Sequence, residues 1–129
     1  MRMKLAIFLM ALSTAALGHV RAEETNAVPA TKVKRIGVEE YEKLRTATNT
    51  VLLDVRSAAE FEKGHIPGAT NIDINSARFA ERISALDTNK TYLVNCAVGM
   101  RSAKACKKME TLGFANLYDL GAGFDGWKS

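Results

Sequence analysis

The sequence predicts an α/β fold: a central parallel β-sheet with helices on both faces. Three observations carry that expectation. Val51-Leu52-Leu53-Asp54-Val55 and Thr91-Tyr92-Leu93-Val94-Asn95 are nearly continuous apolar runs, as strands buried on both faces are. Segments whose apolar residues recur at helical spacing lie between and after them. Strand and helix signals alternate along the chain, which calls for helical crossovers between parallel strands.

In chain order, residues 1–22 stand apart and read as a secretory signal peptide. Arg2 and Lys4 give a positive start, Leu5 to Leu17 is an uncharged, mostly apolar run, and Val20-Arg21-Ala22 offers a cleavage site before Glu23. Thirteen residues are too few for a transmembrane helix, which needs about 20. The mature protein is therefore expected to be periplasmic or secreted, with no stable membrane insertion after cleavage. Residues 23–34 are polar, contain Pro29 and show no apolar period, so they are expected to be a flexible linker. The remaining residues, 35–129, form the domain.

Within it, Val38, Tyr41 and Leu44 mark a helix, and residues 51–55 a buried strand. Phe79, Ile83 and Leu86 mark a second helix, and residues 91–95 a second buried strand that ends at Cys96. Cys106, Met109 and Leu112 stripe a third helix closed by Gly113. Asn116 to Leu120 reads as a last strand. Gly121, Gly123 and Gly126 spell G-x-G-x-x-G, but a dinucleotide fingerprint needs a helix, a strand and an acidic residue beyond it, so a tight turn is expected instead.

Composition narrows the function classes. The 129 residues are 47% hydrophobic, enough for one cored domain. The formal charge of +4 suggests a nucleic-acid or membrane partner, yet without Arg2, Lys4 and Arg21 the count is 15 basic against 14 acidic residues. A nucleic-acid partner is not expected. His65 is the sole histidine after the signal segment and no C-x-x-C spacing occurs, so neither a metal site nor a cofactor is expected.

The chemistry concentrates at Cys96. Ligands of parallel sheets bind beyond the carboxyl ends of the strands. There, Cys96-Ala97-Val98-Gly99-Met100-Arg101-Ser102 runs from a strand end into a helix start. Inward N–H groups and the positive helix end would favour a thiolate, Gly99 would permit a positive φ, and Arg101 would add charge at the rim. Cys106 shares an inward stripe and is expected to be a small buried hydrophobe, not a disulfide partner.

These residues resemble the rhodanese sulfurtransferases, specifically the single-domain exported kind, over roughly Ile36 to Lys128. Leu53-Asp54-Val55-Arg56, Glu60-Phe61, Gly64-His65-Ile66-Pro67-Gly68-Ala69 and Asn71-Ile72 carry one motif, and the C-x-x-G-x-R-S loop at 96–102 carries the other. The resemblance implies a rhodanese-like fold and a Cys96 persulfide, cradled by the amides of Ala97, Val98, Gly99, Met100 and Arg101. It implies transfer of sulfane sulfur from thiosulfate, a polysulfide or a persulfide to cyanide or a thiol, with a protein acceptor as a further option. Two rival readings are a partner-dependent sulfur-carrier module and an oxyanion enzyme. The related cell-cycle phosphatases and arsenate reductases have five residues between cysteine and arginine; this loop has four. Its uncharged side chains also differ from the basic loops of some thiosulfate-using members. Arg56 is a candidate for steering an anionic donor, against a structural ion-pair role with Asp54 and Glu60. His65 is expected to be structural, and Lys104, Lys107 and Lys108 a solvated basic helix edge.

Overall fold

The computed structural model describes residues 33–129 and, before them, Gly18 alone. The signal-peptide expectation and residues 23–32 of the expected linker lie outside the described residues. The sheet has five parallel strands: β1 (Val33–Ile36), β2 (Thr50–Asp54), β3 (Thr70–Asn71), β4 (Thr91–Asn95) and β5 (Asn116–Leu120). Their spatial order is β1-β5-β4-β2-β3. Helices α1 (Val38–Leu44), α2 (Ala58–Lys63), α3 (Phe79–Ser84), α4 (Met100–Thr111) and α5 (Gly123–Lys128) complete the domain.

Side-chain alternation along the strands builds two cores. Leu53, Tyr92, Val94 and Leu117 face α3 and α4, where Phe79, Ile83, Ala105, Cys106 and Met109 close over them. Leu52, Leu93 and Leu120 face the other way, against Tyr41 of α1 and Phe124 of α5. Both faces are thus covered, which explains why β2 and β4 are apolar at successive positions. The central strand is β4, with Leu93 opposite Leu52 on one side and Tyr118 on the other. Its carboxyl end, and so Cys96, sits at the middle of the sheet.

Three local expectations need correction, and one helix was not expected. Val33 and Lys34, placed in the linker, belong to β1, which pairs with β5 from Val33↔Leu117 to Ile36↔Leu120. A four-residue edge strand with exposed Lys34 and Arg35 has almost no apolar pattern of its own; its pairing partner defines it. Leu112 is 44% exposed at the end of α4, and Ala105 takes its place in the buried stripe. The last three glycines make more than a turn, because Gly123 and Gly126 lie inside α5. Helix α2 has no buried residue and was not signalled by apolar spacing; its Ser57–Glu60 capping box defines its start.

Candidate active site

Strand β4 delivers Cys96 into a loop that becomes α4 at Met100. The residue is 1% exposed. Gly99, at φ +93°, turns the chain so that its amide donates to Cys96 Sγ at 3.1 Å. Only glycine fits here, since a Cβ would overlap the Arg35 guanidinium and the Gly121 carbonyl. Ser102 Oγ lies 3.4 Å from Sγ and accepts from the thiol; towards a thiolate the hydroxyl turns and donates. Burial pushes the Cys96 thiol up, but the Ser102 hydroxyl and the amides of Ser102, Val98 and Gly99 outweigh it. The net direction is down from an ordinary thiol.

The loop's amides are free to face inward because its carbonyls are held outward. The first turn of α5 supplies the donors. Phe124 N–H bonds the Cys96 carbonyl at 2.8 Å and Asp125 N–H the Ala97 carbonyl at 3.1 Å. Helix-start amides lack partners within their own helix, so this docking satisfies both elements. Gly123 makes it possible: at φ +64° it lies so close to Ala97 that a Cβ would overlap the Ala97 carbonyl. Arg35 braces the same loop, donating to the Gly99 carbonyl at 3.4 Å and the Gly121 carbonyl at 3.2 Å.

Around the Cys96 sulfur itself the loop residues divide their work. Val98, Gly99 and Ser102 act on the sulfur, whereas Ala97 serves through its carbonyl by anchoring α5. Val98 and Met100 are 59% and 79% exposed and form an apolar rim. Ser102 is fully buried. It stood in the sequence motif but was not assigned a role; a hydroxyl in the first turn of the helix that follows a nucleophile is the signal that points to it. Burial raises the Asp119 carboxyl of β5, while Ser102 and Arg35 partly counter the rise.

Arg101 does other work than expected, and Arg56 takes the structural one of its two expected roles. Arg101 does not stand free at the rim: its terminal nitrogens donate to Glu60 at 2.7 and 2.9 Å, fastening the start of α4 to α2. The bond to Arg101 holds the Glu60 carboxyl at about 2, against the cost of burial and with help from Ser57. Arg56 is 3% exposed and cannot steer a donor from solvent. It donates through Nε and Nη2 to Asp54 at 2.8–3.0 Å and through Nη2 to the Gly64 carbonyl at 2.8 Å. Its guanidinium lies 4.2 Å from the Phe124 ring centroid. The ion-pair reading of Arg56 holds with Asp54 alone, because Glu60 is turned to Arg101.

The remaining candidates are structural. His65 Nδ1 is 2.9 Å from the Phe61 carbonyl and its ring stacks on Phe61. Both cysteines are free. Cys106 is fully buried, and burial pushes its thiol far up, away from reactivity. Lys104, Lys107 and Lys108 are exposed along α4. Among the described residues, no three histidine, cysteine, aspartate or glutamate side chains are placed to hold a metal ion, and no helix is long and apolar enough to cross a membrane.

Comparison with known proteins places this arrangement. A family model described as Rhodanese-like domain matches residues 37–129. Thiosulfate sulfurtransferase GlpE of Pseudomonas entomophila is 36% identical over 96 residues, which cover 74% of this chain and 85% of that protein. Its counterpart in Pseudomonas savastanoi is 34% identical over 99 residues, covering 77% and 91%. Among solved structures, a rhodanese-like domain protein from Staphylococcus aureus matches with a TM-score of 0.65 at 28% identity, covering 73% of this chain and 90% of that one.

Proposed function

The chain belongs to the rhodanese family, and from that premise we propose that it is a sulfurtransferase working through a persulfide on Cys96. The reaction moves sulfane sulfur from thiosulfate, a polysulfide or a persulfide to cyanide or a thiol. One observation carries the reading: a buried thiol with a lowered pKa, ringed by the Gly99, Val98 and Ser102 donors at the end of the central strand. Relatives named thiosulfate sulfurtransferase support it.

The chemistry follows from the ring. The Cys96 thiolate attacks the sulfane sulfur of the donor, an Sγ–S bond forms, and the donor's S–S bond breaks with the electron pair leaving on the donor. Negative charge then rests on the outer sulfur. Donors already aimed inward stabilise that charge without rearranging, because α5 and Arg35 fix the loop carbonyls. A thiolate or cyanide next attacks the outer sulfur, and the charge returns to Sγ. No separate base is invoked, since the ring lowers the thiol's pKa and favours its thiolate. Arg101 acts as a positioning residue through Glu60, and Arg56 holds the segment around Gly64.

Mass spectrometry of the reduced protein after exposure to thiosulfate or polysulfide tests this. Cys96 gains one sulfur atom, cyanide removes it as thiocyanate, and Cys96→Ser gains none. A folded protein that takes up no sulfur from either donor would sink the proposal. We further propose export through residues 1–22, with a mature chain starting at Glu23; N-terminal sequencing of secreted or periplasmic protein showing Leu5–Leu17 intact would overturn it.

A further inference from the structure

We propose that the preferred sulfur donor at Cys96 is an organic persulfide with an uncharged, apolar substituent, not a dianion such as thiosulfate. The inference rests on the sulfur-transfer reading above and names its substrate class.

Charge pairing around the loop is the first observation. Arg101 belongs to the loop, Arg35 braces it and Arg56 packs on Phe124, whose amide holds the Cys96 carbonyl; each is matched by one carboxylate. Arg101 is held by Glu60 at 2.7 Å. Arg56, against Phe124, is held by Asp54 at 2.8 Å. Arg35, bonded to the Gly99 carbonyl, faces Asp119 at 3.5 Å. The cations that could receive an anionic donor are thus already neutralised by the fold. Lys104, one turn beyond Met100, is exposed and makes no ion pair among the described residues. A mobile ammonium in water is screened and holds a dianion weakly.

The rim is the second observation. Val98 and Met100, the two exposed side chains flanking Gly99, are among only three large hydrophobic side chains exposed in the described residues. Apolar groups at the mouth of a nucleophile gain by covering an apolar substituent and offer nothing to sulfonate oxygens.

The reaction balances without a further reagent. Cys96 thiolate attacks the outer sulfur of R–S–SH, the Sγ–S bond forms and the donor's S–S bond breaks. The bonding pair leaves on R–S, which takes the proton of the outer sulfur. Products are the Cys96 persulfide anion and R–SH, with one negative charge before and after. Thiosulfate undergoes the same exchange with sulfite leaving, but adds two negative charges to the thiolate's one in a site whose arginines are paired.

The test measures sulfur uptake on Cys96 by mass spectrometry with three donors: a butyl persulfide, the persulfide of mercaptosuccinate, and thiosulfate. Each rate is divided by that donor's rate with a free small thiol, which removes intrinsic reactivity. The expected result is a normalised preference of about tenfold or more for the butyl persulfide at low salt, and a gain of about tenfold for both dianionic donors in Val98→Lys and Met100→Lys. Equal normalised rates, a preference for thiosulfate, or lysine variants that leave the ratios unchanged would overturn the inference while sulfur transfer stands. Uptake from none of the three would overturn sulfur transfer itself.

Discussion

Removing the Ser102 hydroxyl is the sharpest probe of the ring around Cys96. Ser102→Ala deletes one hydrogen-bond partner 3.4 Å from Sγ and leaves the Val98 and Gly99 amides in place. A hydrogen bond to a charged group is worth about 1.5–3 kcal/mol, and the length of this one argues for the lower end. About 1.4 kcal/mol is one pKa unit, so the Cys96 midpoint should rise by about one unit. Below both midpoints the thiolate fraction then falls about tenfold. A more basic thiolate is intrinsically more nucleophilic, with a Brønsted slope of about 0.4–0.5, which recovers about threefold. The net expectation is a drop of about threefold to fourfold at pH below both midpoints and a rise of about threefold above both. Alkylation of Cys96 across pH shows this crossing directly, and circular dichroism checks the fold. A profile superimposable on the wild type in a folded variant would refute the role given to Ser102 and leave the amides alone in control.

The other expectations concern the frame. Gly123→Ala should cost at least about 1–2 kcal/mol from the left-handed backbone alone, and should lower sulfur uptake because its Cβ overlaps the Ala97 carbonyl; a thermal melt and the mass-spectrometric assay read the two effects. Arg56→Ala leaves the buried Asp54 carboxylate unpaired and should destabilise by about 3–5 kcal/mol in denaturant unfolding. Cys106→Ala should cost about 1 kcal/mol and keep sulfur uptake, since the thiol is buried in the core and makes none of the hydrogen bonds to Cys96. The Glu60–Arg101 pair stabilises fully above pH 4.5 and is lost as pH falls through about 2, because the folded carboxyl is the more acidic one. Both side chains are about a third exposed, so the contribution is under about 1 kcal/mol, and unfolding curves of wild type and Glu60→Gln should converge towards pH 2.

Sequence alone determined the strands β2, β4 and β5 and the place of Cys96, because these depend on local pattern. A strand covered on both faces must be apolar at successive positions, and a loop between strand end and helix start must aim amides at its centre. Gly99 was legible for the same reason: its positive φ belongs to the turn itself. The partners of charged groups were not legible. Arg101 meets Glu60 across 41 residues, and Trp127 meets Glu42 across 85, contacts that exist only after the sheet order is set. The two arginine roles were therefore decided by the tertiary structure, which buries Arg56 against Phe124 and turns Glu60 away from it. Strand β1 became a strand only by pairing with β5. Helix α5 gained its function only where its free amides met the carbonyls of Cys96 and Ala97. The sequence placed the thiol; long-range packing chose the groups that hold its surroundings, because a charge or an unpaired amide takes whichever partner the folded chain brings within reach.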